Sequence, residues 1–503
     1  MSTFDYVVVG GGSAGCVVAA RLSEDPSVSV CLLEAGPSDV DDPRILRLTD
    51  WMFLLESGYD WDYLVEPQER GNSFLRHSRA RVLGGCSSHN SCIAFWPPAE
   101  DLSSWDLPGW SPSSCGPAVD RVRSTVEVRT VPPADPCGAA VLEAAASVGL
   151  PTVSFNTGST VVNGAGWFQI NASSDGTRSS SSHAYLHPVL SSRPNLTVVT
   201  DAWASRVLFD AHRQATGVEY LAADRVHRLV ASARREVIIS CGAIDTPKLL
   251  MLSGIGPAGH LREVGVDVLV DSPGVGANLD DHVEGLVAWD AAKPMVTEST
   301  QWWEIGLFAA TVPGLDRPDL MMHYGSVPFD LNTVRWGYPT TENGFCLTPN
   351  VTRGRSRGTV RLRSRDFRDK ARVDPRYFTD AEGHDERVML HGLRLARRIA
   401  AQPALAGWIA SELAPGPEAV TDDELLDYVR KTHNTVYHPA STARMGRDDD
   451  PFAVVDASLR VNGVRGLRVA DASVLPSLTT VNPNMTVMMI GERCAEFVAR
   501  AGA

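Results

Sequence analysis

The first apolar run of the chain is followed at once by a glycine-rich turn and then by a helical pattern. Residues 6–9, Tyr-Val-Val-Val, are aromatic or β-branched without a polar break, which is typical of a strand buried in a parallel sheet. Residues 10–15, Gly-Gly-Gly-Ser-Ala-Gly, fit the pattern GxGxxG, and apolar residues continue at helical spacing to Leu22. A second apolar run ends at Glu34. This order of strand, glycines, helix, strand and acid predicts a Rossmann-like α/β domain that binds a dinucleotide.

Each position of that motif has a physical reason. Gly10 allows a tight turn, Gly12 lets a pyrophosphate approach the backbone, and Gly15 lets helix and strand pack closely. The helix N-terminus offers free N–H groups and the positive end of its dipole to the pyrophosphate. Glu34 is placed to bind the ribose hydroxyls. On these residues alone, NAD and FAD remain equally possible.

Further patterns predict regular elements along the chain. The apolar residues 237–240 end before Gly242, which predicts a strand followed by a helix. Residues 358–363 alternate as a strand does, and residues 386–399 carry apolar side chains at helical spacing. Thr421 and Glu424 form a capping box before another helix. The serine run 179–182 predicts a plain loop.

Composition and charge exclude several classes of function. Apolar residues make up 44% and charged residues 21% of the 503 residues, as in ordinary globular proteins. The net charge of -14 disfavours nucleic acid and anionic membranes as partners. The nine cysteines show no spacing for a metal, so we expect no metal and reduced thiols. No apolar run reaches the ~20 residues of a membrane span, and the few residues before the first strand do not form a signal peptide, so a cytoplasmic location is expected.

Four segments carry a family resemblance. Residues 81–90, 242–256, 467–473 and 482–486 resemble the signatures of the glucose-methanol-choline (GMC) oxidoreductases, in the same order along the chain. Residues 54–63, 299–306, 323–330 and 432–439 are similar to the choline-oxidising members of that family in particular. The resemblance covers essentially the whole chain, and it implies FAD and not NAD.

The resemblance implies a fold and an activity. Residues 1–131, 173–283 and 436–503 would form a discontinuous FAD-binding domain. Residues 132–172 and 284–435 would form a substrate-binding domain, an antiparallel sheet covered by helices. The protein would oxidise choline through betaine aldehyde to glycine betaine, with hydride transfer to the flavin N5 and reduction of O2 to H2O2. A homodimer would follow from the same resemblance.

The catalytic residues are also implied by the resemblance. His438 would accept or share the hydroxyl proton and stabilise the alkoxide, and Asn482 would orient the hydroxyl oxygen. Ser91 would face the hydroxyl, and His323 would support the site from behind. FAD would be held covalently through His89.

Oxidation of choline also requires recognition of a trimethylammonium group, which cannot donate classical hydrogen bonds and is bound by aromatic faces together with a carboxylate. The matching positions are Trp51, Trp303, Phe329 and Tyr437 with Glu284, and Val436 resembles the apolar residue that guides O2 to the flavin. The flavin-binding positions that match the family are Gly10, Gly12, Ser13, Ala14, Gly15, Glu34, Ala35, Gly84, Ser88, His89, Asn90, Val207, Asp471, Ala472, Asn482 and Pro483.

The chain departs from its relatives in three places, which leaves alternatives open. Residues 440–442 read Ala-Ser-Thr where Val-Gly-Thr is usual, so a positive φ at Ser441 would be strained. Residues 476–479 also differ, and residues 111–137 are shorter than in relatives, which affects the surface, a lid or a subunit contact. The alternatives are an oxidase or dehydrogenase of a different primary alcohol, and a non-redox flavoprotein of the hydroxynitrile lyase kind.

Overall fold

Two large sheets organise the chain, and the computed structural model describes residues 2–502. The first sheet contains the glycine motif. Its strands, in order across the sheet, are Leu196–Val199, Val30–Leu33, Ser2–Val9, Arg228–Ile239, Ala215–Leu221 and Trp203–Phe209, and Leu467–Val469 pairs with Arg228–Ile239 from outside this order.

The first sheet is parallel at its centre and antiparallel at one side. Strand Ser2–Val9 pairs in parallel with both of its neighbours, whereas Ala215–Leu221 pairs antiparallel with both of its own. The central strands are buried and rich in valine, leucine and isoleucine, as expected for a sheet that is covered on both faces. The helices packed around it are Gly15–Leu22, Pro112–Thr125, Gly242–Leu252 and Asn484–Gly502.

The second sheet is antiparallel. Its strands, in order, are Ile409–Ala414, Val287–Ala291, Gly344–Val351, Leu320–Gly325, Trp303–Ala309 and Gly164–Trp167, and the short strands Val283–Glu284 and Asn434–Thr435 extend it. Helices Pro136–Ser147, His384–Ala400 and Asp422–Thr432 belong to the apolar core of this sheet. The α/β fold with an antiparallel second sheet, predicted from the sequence, is therefore confirmed.

Short elements complete the chain. The short helices are Pro43–Leu46, Ala99–Ser104, Ala258–Glu263, Leu48–Leu54, Gly85–Ser88, Val334–Trp336, Pro403–Leu405 and Ala472–Val474, with one π-turn at Ser182–Leu186. Four two-stranded pairs are Tyr63–Leu64 with Arg76–His77, Arg129–Thr130 with Gln169–Ile170, Ile255–Gly256 with Val270–Asp271, and Thr359–Arg361 with Arg372–Asp374. The capping box of Thr421 and Glu424 is present as predicted.

The serine run 179–182 is buried, so the prediction of a plain loop there was wrong. The reason is hydrogen bonding: the hydroxyl of Ser181 lies 3.0 Å from that of Ser87, and the Ser182 hydroxyl donates to buried Asp39 at 2.8 Å. Side-chain partners of this kind let a polar run enter a core, which a pattern of hydrophobicity does not reveal.

The shortened segment 111–137 contributes a packed helix. Arg121 of helix Pro112–Thr125 donates to Glu492 of the C-terminal helix at 2.8 Å. Trp110, just before it, packs edge-to-face on Phe497, with 6.0 Å between the ring centroids. This segment therefore supports the dinucleotide-binding sheet from the side of the C-terminal helix.

Some classes of feature do not occur in the part of the chain that the structure describes. Within residues 2–502, no helix has the length and apolarity needed to cross a bilayer. The same residues contain no cluster of three or more side chains suited to hold a metal ion. The nine cysteines are all free thiols, and seven of them are buried.

The glycine at the start of the first helix gives a test of this packing. A Cβ on Gly15 would lie 1.9 Å from the carbonyl oxygen of Gly10, so Gly15→Ala forces the helix off the glycine turn. We expect a loss of about 1–3 kcal/mol in the free energy of unfolding and a lower flavin content. Gly259→Ala, in helix Ala258–Glu263, is the control, because a Cβ there meets nothing within 4 Å. Thermal unfolding and flavin absorbance check both; equal behaviour of the two variants would contradict the packing argument.

Candidate functional site

One cavity of about 280 Å³ runs between the two sheets and contains most of the predicted site residues. At one end it meets the glycine turn, and at the other it meets the second sheet. The predicted residues that line it are Gly10, Gly12, Ser13, Ala14, Glu34, Ala35, Trp51, His89, Asn90, Ser91, Glu284, Trp303, His323, Phe329, Val436, Tyr437, His438, Asp471, Ala472, Asn482 and Pro483.

Four predicted cofactor residues lie outside the lining. Gly15 and Gly84 shape the turns beside the cavity, and the hydroxyl of Ser88 is directed 3.4 Å away to Asp39. Val207 also lies outside the lining, and its backbone N–H donates to the Ser253 hydroxyl at 2.9 Å. The residues of that region that line the cavity are 202–204.

The glycine-turn end of the cavity is built for a nucleotide. Gly10 has φ +96°, and a Cβ there would lie 2.4 Å from the carbonyl oxygen of Ser240, so this tight turn requires glycine. Glu34 accepts the N–H groups of Gly11 and Gly36, each at 2.8 Å. Burial raises the pKa of Glu34 to about 7. Each carboxylate oxygen still has a second lone pair for a ribose hydroxyl.

An aromatic pair at this end was not predicted. Trp61 and Trp203 both line the cavity, with 5.2 Å between their ring centroids, and Lys248 and Asp245 lie beside them. Trp61 lies in the family-like segment 54–63, but Trp203 belongs to no motif and is far away in sequence, so only the fold brings the two rings together.

At the opposite end, His438 belongs to a chain of hydrogen bonds that fixes its protons. The Nε2 atom of His282 lies 3.1 Å from the carbonyl oxygen of Thr352, which can only accept, so this nitrogen carries the proton. Burial lowers the pKa of His282 to about 4, so its Nδ1 keeps a lone pair. His438 Nδ1 lies 3.0 Å from His282 Nδ1 and donates a hydrogen bond to that lone pair. The Nε2 atom of His438 is then left with its lone pair.

The lone pair of His438 lies next to Asn482. The side-chain nitrogen of Asn482 is 3.5 Å from His438 Nε2, and both residues line the cavity. Burial, and then the neighbouring His282, lower the pKa of His438 well below its usual value. The site therefore presents an unprotonated imidazole nitrogen beside a carboxamide, which can accept a proton from a bound hydroxyl group.

Aromatic rings and one carboxylate lie around the same end of the cavity. Trp303 and Phe329 meet edge-to-face with 4.9 Å between centroids, and the indole N–H of Trp51 donates to the Gln301 carbonyl at 2.8 Å. Glu284 is buried, and its Oε1 lies 3.5 Å from Nδ1 of His323.

The phenol of Tyr437 completes this cage. It accepts from Asn434 at 3.3 Å, and burial raises its pKa, so it stays neutral. Trp51, Trp303, Phe329, Tyr437 and Glu284, called the cage below, therefore line the same cavity as His438, and such a set of groups is suited to an organic cation.

The predicted attachment residue lies between the two ends. His89 is buried in the cavity wall, and its Nε2 lies 3.0 Å from the carbonyl oxygen of Leu54. Burial lowers the pKa of His89 to about 4, so the ring is neutral and one nitrogen keeps a lone pair. Ser91 lines the cavity two residues later. A neutral imidazole with one free lone pair is the nucleophilic form that a covalent bond to a cofactor requires.

The cavity wall also carries unpaired polar atoms, which tests its fit to FAD. The Ser240 hydroxyl, the Asn482 carbonyl oxygen and the Asn484 side-chain nitrogen are buried and have no hydrogen-bond partner among the described residues. Buried polar groups are normally paired, and a dinucleotide with its phosphates and flavin ring offers such partners. Together with the glycine turn and Glu34, these atoms fit FAD.

The residue that departs from the family at position 441 is strained. Ser441 has φ +69° and is 1% exposed, and its hydroxyl has no partner among residues 2–502. Its N–H donates to the carbonyl oxygen of cavity-lining Ala472 at 3.1 Å. The expectation of a strained backbone at this serine is borne out by the φ angle. Tyr437 also has a positive φ of 63°, so residues in the left-handed region flank His438 on both sides.

Comparisons with known proteins agree over the whole chain. Two family models described as GMC oxidoreductase match residues 4–284 and 354–491. The chain is 63% identical to choline oxidase of Arthrobacter globiformis, over 99% of this chain and 95% of that protein. It is 37% identical to the mitochondrial choline dehydrogenase of Homo sapiens, over 98% of this chain and 89% of that protein. Among solved structures, pyridoxine 4-oxidase from Mesorbium loti is similar, with a TM-score of 0.89, 31% identity and 98% coverage of both chains.

The strain at residue 441 gives a stability prediction. Ser441→Gly removes the side chain that disfavours the left-handed backbone, and we expect the free energy of unfolding to rise by about 1 kcal/mol, net of the greater freedom of glycine in the unfolded chain. Ser441→Ala is the matched variant, because it removes the unpaired hydroxyl but keeps the strain. Unfolding of the flavin-loaded protein in urea compares the three. If alanine stabilised as much as glycine, the hydroxyl and not the backbone would be the cause.

Proposed function

The chain belongs to the GMC oxidoreductase family, and we propose that it is an FAD-dependent oxidase that converts choline to betaine aldehyde and then to glycine betaine. The observation that carries this proposal is the position of the cage: four aromatic residues and Glu284 share one cavity with His438 and Asn482. An organic cation with a hydroxyl group near by is the ligand that such a cavity suits. The 63% identity to a choline oxidase supports the same substrate.

The cage would bind the trimethylammonium group. The faces of Trp51, Trp303, Phe329 and Tyr437 attract a cation through their quadrupoles, and Glu284 supplies a full negative charge. Because these groups are buried, a low dielectric strengthens the attraction. A cation held there would direct its hydroxyl-bearing carbon toward His438 and Asn482.

His438 would then take the hydroxyl proton on Nε2, and Asn482 would hold the oxygen by donating its N–H. The hydrogen-bond chain from His438 through His282 to the Thr352 carbonyl keeps the free lone pair of His438 on Nε2. The chemistry that bound FAD would supply is acceptance of the hydride from the alcohol carbon and transfer of its two electrons to O2, with H2O2 as the product. Ser91, which lines the same cavity, would also contact the hydroxyl.

The same groups would serve the second oxidation. Betaine aldehyde adds water to form a gem-diol, which again presents a hydroxyl on the carbon next to the cation. His438 Nε2 would accept the proton of that hydroxyl after losing the first one to solvent. A site that retains the aldehyde by its cationic group can therefore perform both steps without a change of geometry.

Six further features belong to this proposal. We propose that His89 carries FAD covalently, that His323 supports Glu284, and that Val436 leaves an apolar path for O2. We propose that residues 1–131, 173–283 and 436–503 bind FAD and that 132–172 and 284–435 bind substrate. We propose a homodimer. A cytoplasmic location is supported by the nine free cysteines, which suit a reducing compartment.

Anaerobic reduction of the flavin tests the function. Choline should bleach the flavin absorbance near ~450 nm, and air should restore it with release of peroxide. The uncharged isostere 3,3-dimethylbutan-1-ol should be much poorer, because it lacks the positive charge. No bleaching by any alcohol would indicate a non-redox flavoprotein, and faster bleaching by uncharged alcohols would indicate a different substrate.

Glu284→Gln tests the role of the carboxylate of Glu284 in the same experiment. We expect the choline concentration for half-maximal reduction to rise on the order of 10-fold or more, and that for the isostere to stay unchanged. The control is Glu304→Gln, since Glu304 is also a buried glutamate but binds Ser299 and Thr300 and does not line the cavity. Equal loss for both substrates in Glu284→Gln would contradict a cation-binding role.

The attachment of the flavin gives a separate prediction. After acid precipitation, the wild-type pellet should stay yellow, whereas His89→Ala should release its flavin into the supernatant. His260→Ala is the control, because His260 is part-buried but lies outside the cavity. Intact-mass measurement should show the added mass of FAD only where His89 is present. A yellow pellet from His89→Ala would place the attachment elsewhere.

A further inference from the structure

A buried carboxylate lies immediately behind His438 without lining the cavity. Asp281 precedes His282 in the sequence, and its side chain is 2% exposed. Its role in the reaction was not predicted from the sequence, because an Asp-Asp pair next to a histidine has no distinctive pattern. The structure, however, gives this carboxylate five hydrogen-bond partners.

The partners come from several segments of the chain. One oxygen, Oδ1, accepts the backbone N–H of His438 at 2.9 Å and that of His282 at 3.0 Å. The other, Oδ2, accepts from the Thr435 hydroxyl at 2.5 Å, from the Tyr377 hydroxyl and from Nε2 of His77 at 3.1 Å. The carboxylate therefore connects the backbone of His438 and His282 to the side chains of Thr435, Tyr377 and His77.

Asp281 carries a negative charge in this environment. Burial alone would raise the pKa of its carboxyl, but the hydrogen bonds from His77, Thr435 and Tyr377 outweigh burial and hold the pKa well below its usual range. The electrostatic attraction between Asp281 and His77 lowers the pKa of Asp281 further.

The charge acts on the imidazole of His438. Burial lowers the pKa of His438, and the neighbouring His282, His323 and Arg79 lower it further, whereas Asp281 raises it. If every neighbouring group disfavoured the protonated imidazole, His438 would be a poor proton acceptor. Among these effects, only that of Asp281 raises the pKa of His438.

We propose that Asp281 is a positioning residue for alcohol oxidation, which fixes the backbone of His438 and supplies the negative charge against which His438 takes up the hydroxyl proton. The proton leaves the substrate oxygen and binds His438 Nε2, so the substrate becomes an alkoxide and the imidazole a cation. Asp281 stays ionised throughout. This inference rests on the proposed function, since it concerns the same proton transfer.

Asp281→Asn is the direct test, because the amide has the shape of the carboxylate. Its oxygen can still accept the two backbone N–H groups. Its NH2 has two hydrogens, which can be donated to the hydroxyls of Thr435 and Tyr377, because a hydroxyl also accepts, whereas the contact with His77 loses its acceptor. The variant therefore removes the charge and keeps four of the five contacts.

The readout is the pH dependence of anaerobic flavin reduction by choline. Loss of the anion lowers the pKa of His438, so the acidic limb of the profile should move to lower pH by about one unit, and the limiting rate at high pH should fall about 10-fold or more. The choline concentration for half-maximal reduction should stay within about 3-fold of wild type, because the cage is untouched. A folded, flavin-loaded variant with the wild-type profile and rate overturns the proposal.

Asp280→Asn is the matched control. Asp280 is an equally buried neighbour, but its side chain binds the Leu478 N–H at 3.1 Å and Arg357 at 3.2 Å and not His438. Its profile should equal that of wild type, and a shift as large as that of Asp281→Asn would overturn a specific role for Asp281. Wild type in the same assay separates the two proposals: if choline does not reduce it, the proposed function fails first.

Tyr377→Phe keeps the test decisive if Asp281→Asn does not fold. It removes one of the donors that partly neutralise the carboxylate, while the other four keep Asp281 ionised, so the charge favours the protonated form of His438 more strongly. The acidic limb of the profile should then move to higher pH, opposite to the shift in Asp281→Asn, and the rate at high pH should stay close to that of wild type. An acidic limb that does not move overturns the proposal.

Discussion

The position of the reactive imidazole depends on the five hydrogen bonds to Asp281. Two of them fix the backbone of His438 and His282, and three attach the carboxylate to Thr435, Tyr377 and His77. A buried anion requires all of these donors, because water does not reach it. The segments that carry these donors are thus constrained to one arrangement. The hydrogen-bond chain from Thr352 through His282 to His438 follows from that arrangement.

The two sheets contribute opposite kinds of chemistry to one cavity. The parallel sheet ends at glycines and free backbone N–H groups, which suit phosphates, and its Glu34 suits ribose. The antiparallel sheet and its loops contribute large aromatic rings and Glu284, which suit a cation. Alcohol oxidation requires the two ligands to meet, and His438, Asn482 and Ser91 line the cavity together with both sets.

Short-range patterns predicted the parts of the site that depend on local backbone. The glycine turn, Glu34 and the capping box of Thr421 follow from residues close in sequence, and the structure has each of them. The family segments predicted the cage, whose residues line the cavity, although their roles stay predictions. The pair of Trp61 and Trp203 and the contacts of Asp281 depend on packing and hydrogen bonds between distant segments. No local pattern encodes such contacts, so sequence reasoning missed them.

The wall of the cavity uses residues from near both ends of the chain. Gly10 and Gly12 belong to the first strand and turn, whereas Asn482 and Asn484 stand at the start of the last helix. A molecule in which the helix Asn484–Gly502 is detached has the glycine turn but lacks the wall that closes the cavity. The yellow colour of a preparation therefore reports molecules in which these two segments, more than four hundred residues apart in sequence, are packed together.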